Sequence, residues 1–194
     1  MTHIHHHEQD PITILMEEHR VIERAIRLLE EVAARLDAGK QVEPTILINL
    51  LDFIRNFADR CHHGKEEKIL FQTFSEHGIP VEGGPIGVML FEHEEGRKAV
   101  KAMAEAALKI KEGDWRQTHL FSSNAKGYSQ LLTQHIYKED NILYPMGGRL
   151  LSKEEKEDLV RRFEKVEREE MGEGVHEKYI RLIEELEDKI LWSS

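Results

Sequence analysis

The sequence predicts an all-α chain folded as an antiparallel up-down four-helix bundle, hemmed by additional C-terminal helices. Three observations carry this. Apolar residues recur at four-three spacing through four long segments, Pro, Gly, Asp and Ser punctuate those segments at short intervals, and nothing alternates with the two-residue period of a strand set.

The first helix opens at Asp10-Pro11, with Asp as N-cap and Pro at the first helical position, where its missing N–H costs nothing. Leu15, His19, Ile22, Ile26, Leu29, Ala33 and Leu36 form its inward stripe, and Gly39 ends it. The second starts near Pro44 and runs through Leu47, Leu51, Ile54, Ala58, His62, Glu66 and Ile69 to about Phe74. A Gly- and Pro-rich connection, residues 78–85, leads into a third helix at Pro85. Its inward positions read as Ile86, Leu90 and His93, followed either by Arg97, Val100 and Ala104 or by Gly96, Val100 and Met103. After Gly113, Asp114 with Gln117 makes a capping pair. The fourth helix then carries Phe121, Ala125, Tyr128, Leu132, His135, Glu139, Ile142 and Met146. Ser152 and Glu155 open a further helix as a capping box. The break Gly172-Glu173-Gly174 precedes a last one with Tyr179, Ile183, Leu186 and Ile190 inward. Residues 10–150 form the bundle, 151–194 extend the same domain, and 1–9 are a His-rich arm excluded from the site.

Each of the four core stripes therefore contains a histidine: His19, His62, His93 and His135. The second and fourth add a carboxylate one turn later, in His62-x-x-x-Glu66 and His135-x-x-x-Glu139, which stacks the two side chains on one helix face. Each block follows a Glu-His pair at nearly the same distance, so Glu18-His19 with His62 and Glu92-His93 with His135 read as two copies of one helix pair. A single core histidine is ordinarily a hydrogen-bonded packing residue. Four of them at one level, with two carboxylates, are not so explained, because a buried carboxylate costs several kcal/mol and a neutral imidazole does not compensate it. A cation does. Four imidazoles and two carboxylates exceed the four donors of a structural zinc, and carboxylates can bridge, so two metal ions are expected. Mixed imidazole and carboxylate ligation favours two iron ions, with manganese or zinc as less favoured occupants.

Taken in order, Glu18-His19, His62-x-x-x-Glu66, Glu92-His93 and His135-x-x-x-Glu139 resemble the hemerythrin-like, or HHE cation-binding, family over roughly residues 10 to 150. The resemblance implies a non-haem di-iron centre reactive toward O2 or NO. It assigns His19 and His62 to one iron and His93 and His135 to the other, with Glu66 and Glu139 bridging. Two departures stand out. The position one turn after His93, a histidine in oxygen-carrying members, is Arg97. Those members also place the second bridging carboxylate five residues after the last histidine, which here would select Asp140; periodicity and the internal repeat favour Glu139, as in the iron-centre repair branch. An additional ligand is sought in Glu23, one turn after His19, or His176, after the glycine break; both also read as surface or capping residues. By helical phase, His63 and Glu67 point away from the inward face and read as solvated, and Cys61 as packing.

The balance of 27 basic and 37 acidic residues, a formal charge of −10, argues against nucleic acid as a partner. No apolar run reaches membrane-span length, and one cysteine excludes an intrachain disulfide framework and fits a reducing, cytoplasmic setting. The function classes left open are a binder of O2 or NO, a di-iron oxidoreductase or iron donor in stress response or cluster repair, and a helical module whose saturated metal site is structural. Whether the chain is an enzyme is left open.

Overall fold

The computed structural model describes residues 10–192; the N-terminal His-rich arm lies outside them. Six helices and no strand occur among the described residues. They are α1 (Pro11–Asp37), α2 (residues 44–76), α3 (Pro85–Lys111), α4 (residues 118–148), α5 (residues 153–171) and α6 (residues 175–192). Helices α1 to α4 form the up-down bundle, each packed on its neighbours in sequence, with α4 closing the ring against α1.

Local chemistry sets the ends. Asp10 accepts from the Ile12 N–H at 2.9 Å, and Gly39, at φ 72°, turns the chain out of α1. Asp114 caps a single 3₁₀ turn, Trp115–Gln117, from which α4 continues. Ser152 and Glu155 cap each other's backbone at the start of α5.

Two helices depart from α geometry where it matters. Helix α2 is π-helical over Ile54–His63 and Glu66–Leu70, and α4 over Glu139–Leu143. A π turn is wider than an α turn and shifts the phase of everything after it. Ile142 and Met146, inward by α periodicity, are therefore exposed, and Leu143, Tyr144 and Gly147 are buried in their place. The same effect buries His63 beside His62, so its reading as a solvated residue is overturned. In α3, Gly96, Val100 and Met103 lie inward, with Ala104 at their margin, and Arg97 is partly exposed.

Two apolar clusters fill the bundle. One joins Ile22, Leu29, Phe57, Met103, Phe121 and Leu132 to α6 through Tyr179, Ile183 and Ile190. The other joins Leu15, Phe71, Phe74, Met89 and Tyr144 to α5 through Leu159 and Phe163. Between them, at one level, lie the histidines and glutamates. Helix α5 packs on α1 and on the second π stretch of α2, and α6 on α1 and α2, so the C-terminal helices cover one side of the bundle only.

Candidate metal centre

Six side chains converge on the middle layer: His19, His62, Glu66, His93, His135 and Glu139, each no more than 2 % exposed. The inward nitrogens come in pairs. His19 Nε2 and His62 Nε2 are 2.9 Å apart, and His93 Nε2 and His135 Nε2 are 3.1 Å apart. Both carboxylates reach across from one pair to the other. Glu139 Oε2 is 3.2 Å from His19 Nε2 and 3.3 Å from His135 Nε2, while Glu66 lies 3.7 Å from His62 Nε2 through Oε1 and 3.4 Å from His93 Nε2 through Oε2.

The outward nitrogens are as ordered as the inward ones. The Nδ1–H of His19 donates to Asp140 at 2.6 Å, that of His62 to Glu18 at 2.8 Å, that of His93 to Glu67 at 2.7 Å and that of His135 to Glu92 at 2.9 Å. With Nδ1 committed as donor, Nε2 presents its lone pair to the centre, the arrangement that fixes a metal-binding imidazole. Each outer carboxylate in turn holds a cation: Arg20 on Asp140, Lys65 on Glu18, Arg97 on Glu67 and Lys138 on Glu92. Glu67 is thus a bonded partner of His93, and its reading as merely solvated is corrected with that of His63.

The layout repeats: Glu18-His19 corresponds to Glu92-His93, and His62, Lys65, Glu66, Glu67 and Phe71 to His135, Lys138, Glu139, Asp140 and Tyr144. Phe71 stacks near His93, and Tyr144 stacks on His19 with ring centroids 5.5 Å apart. The Tyr144 hydroxyl also donates to Glu66.

Glu66 Oε2 and both Glu139 oxygens are buried without any hydrogen-bond partner. Leaving three such oxygens unsatisfied is costly, and the donors around them fit cations: two nitrogens bound at right angles to one ion at ~2.1 Å lie ~3 Å apart, as both histidine pairs do. The donor set therefore suits metal. Two overlapping groups have ligand atoms within 4.8 Å of one another: His19, His62, Glu66 and Glu139, and His63, Glu66, His93 and His135.

Without metal, protons take the cation's place. Burial alone would lower the histidine pKa values, but Asp140 on its outer nitrogen and the Glu139 carboxylate facing its inner one raise His19 to about 9, Glu66 and Glu67 raise His93 to about 9, and Glu139 raises His135 to about 10. Burial pushes Glu66 upward, yet His62 and His93 hold it well below the usual carboxylate range.

Two sequence candidates lie elsewhere. Glu23 is paired with Arg20 at 3.3 Å and is substantially exposed, outside both groups. His176 reaches Glu18 at 3.4 Å, on the far side of that carboxylate from His62. It forms a third group with Glu18 and Glu167, into which Lys65 already projects. Asp140 sits on the outer nitrogen of His19, with Glu139 inward. Cys61 is buried, and burial pushes its thiol up to about 12. Sequence reasoning missed the outer carboxylates and Tyr144. The acid adjoining an inward donor in the chain serves a histidine on another helix, a pairing that only the fold reveals.

A cavity of about 140 Å³ opens between α2 and α3, lined by Asp59, His63, His93, Gly96, Arg97 and Tyr128 among others.

An all-helical bundle with a buried layer of imidazoles and carboxylates defines a cation-binding class, and the comparisons say which. Residues 10–147 match the family model of the hemerythrin HHE cation binding domain, and the chain belongs to that family. It is also similar to uncharacterized proteins of Mycobacterium bovis and Mycobacterium tuberculosis, 23 % identical over 186 residues. The match covers 94 % of this chain and 72 % of theirs. No helix among the described residues is long and apolar enough to cross a membrane.

Proposed function

We propose that this chain holds two iron ions and binds or reacts with O2 or NO in the cytoplasm. His19 and His62 would hold one ion, His93 and His135 the other, and Glu66 and Glu139 both. The observation that carries this is the pair of carboxylates, each reaching from one histidine pair to the other, with three buried oxygens that have no hydrogen-bond partner. Iron held there would supply the electrons that a diatomic ligand needs. The chain's own part is to orient four imidazoles through Asp140, Glu18, Glu67 and Glu92, and to enclose the layer in apolar packing that keeps water out. The cavity beside His63 and His93 supports access by a small molecule, since one water needs only ~10–15 Å³ of such space. A role in which the metal only braces the bundle has no use for it. Redox chemistry or iron release is the second reading, supported by that cavity's polar rim of Asp59 and Arg97.

The test is metal content and the optical spectrum of protein purified without oxygen, before and after air. Two irons per chain and a reversible oxygen-dependent band are expected. Irreversible oxidation or loss of iron selects the second reading. Zinc that iron cannot replace, with no response to air, overturns both.

A further inference from the structure

His63 has no counterpart in the other half of the molecule. At the related position, one residue after His135, stands Ile136, buried among apolar neighbours. The π-helical run Ile54–His63 turns two consecutive histidines inward, and His63 is 5 % exposed. Its ring lies on that of His93, centroids 3.8 Å apart and planes 17° from parallel, and it also meets His135 edge-on at 5.8 Å.

Packing alone accounts for a ring at this place, and Phe or Leu would serve. It does not account for what holds the ring. Asp59 faces His63 Nδ1 at 3.3 Å, the same carboxylate-to-outer-nitrogen arrangement found at His19, His62, His93 and His135. Arg97 grips Asp59 with Nε at 2.9 Å and Nη2 at 2.7 Å, and through Nη2 also reaches Glu67, the partner of His93, at 2.7 Å. One guanidinium thus fixes the carboxylates of both stacked imidazoles. Among the described residues, relays of this form, with the carboxylate on Nδ1 and a cation behind it, otherwise occur at the four histidines whose Nε2 faces the centre. A ligand atom of His63 also lies within 4.8 Å of those of Glu66, His93 and His135.

We infer that His63 is a third imidazole ligand of the ion held by His93 and His135, positioned by Asp59 and Arg97, so that the two ions have unequal nitrogen ligation. This rests on the dinuclear reading above. It makes His63 both a ligand and the wall between the centre and the cavity.

Cobalt(II) is the probe. The full chain is loaded with cobalt(II), its uptake counted, and the exchangeable imidazole N–H resonances shifted far downfield by the metal are counted by proton NMR. Two cobalt ions with five such signals are expected, one for each ligating histidine. Two ions with four signals overturn the assignment of His63 alone, while uptake of a single ion overturns the dinuclear reading with it. His63→Phe keeps the stack and removes the nitrogens. It should delete one signal and weaken uptake of one cobalt ion at least 10-fold while the other stays tight, and an unchanged affinity for both ions would also overturn the proposal. Asp59→Ala should weaken the same ion by ~10–100-fold, the range for loss of a carboxylate behind a ligating imidazole.

Discussion

The two halves of the centre repeat the same inward histidines and glutamates and are buried differently. The half around His19 and His62 lies under the C-terminal helices: Lys65 is fully buried, bound to Glu18 and also to Glu167 of α5, and His176 of α6 reaches the same Glu18. The half around His93 and His135 has no such cover. Its corresponding Lys138 is a third exposed, and a cavity stands beside His63 and His93. An internal repeat thus sets the donors, and what is laid over each copy sets who can reach them. One half is locked from outside by salt bridges; the other is left approachable.

The sharpest way to break the comparison is to remove what the halves share. Glu66→Ala or Glu139→Ala should each abolish binding of at least one metal ion, read as metal per chain after gel filtration, whereas Glu67→Gln should leave both bound but weaker. Two ions retained in both Ala variants would refute bridging. A second effect belongs to the metal-free protein. His19, His93 and His135 have folded-state pKa values of about 9, 9 and 10 against an ordinary 6.5, so their stabilising contribution is complete below about 6.5 and is lost as pH rises through 9–10. Chemical denaturation of that form should show stability falling over this window, by up to ~1.4 kcal/mol per pH unit for each histidine that stays protonated. Metal-loaded protein should lack the decline, since the ion displaces the protons.

The difference between halves is tested by a matched pair. Lys65→Met leaves the buried Glu18 without its main countercharge and should cost ~3–5 kcal/mol of unfolding free energy. Lys138→Met, at a partly exposed pair, should cost under ~1 kcal/mol. Equal losses would mean that the C-terminal cover is energetically irrelevant. Smallest of all, Glu23→Ala should change stability by less than ~0.5 kcal/mol and metal content not at all.

The bundle and its six inward donors were legible because apolar spacing put His19, His62, Glu66, His93, His135 and Glu139 on stripes that the fold then brings to one level. What was not legible follows from two physical facts. Periodicity assumes 3.6 residues per turn, and the π turns in α2 and α4 break that assumption beside the inward donors, which is why the spacing puts His63 outward and Met146 inward. The outer carboxylates were hidden because they pair across helices: Glu18 adjoins His19 but serves His62, Glu67 adjoins Glu66 but serves His93, and Asp140 adjoins Glu139 but serves His19. Adjacency in the chain carries no trace of that exchange. His176, offered as a ligand, lies beside Glu18 and outside the two groups of the central layer, because the glycine break starts α6 outside that carboxylate.

The apolar clusters above and below the donor layer bear on the order of events in assembly. Each closes its own end of the bundle with side chains from all four long helices, and neither contains a ligand. The chain should therefore be able to reach its fold with protons in the layer, and loading would then exchange protons for metal inside a finished socket. Zinc-finger domains, whose fold waits for the ion, work the other way round. In such a socket the openings of the wall would govern the pace of loading, and with two ions the approachable half should fill first.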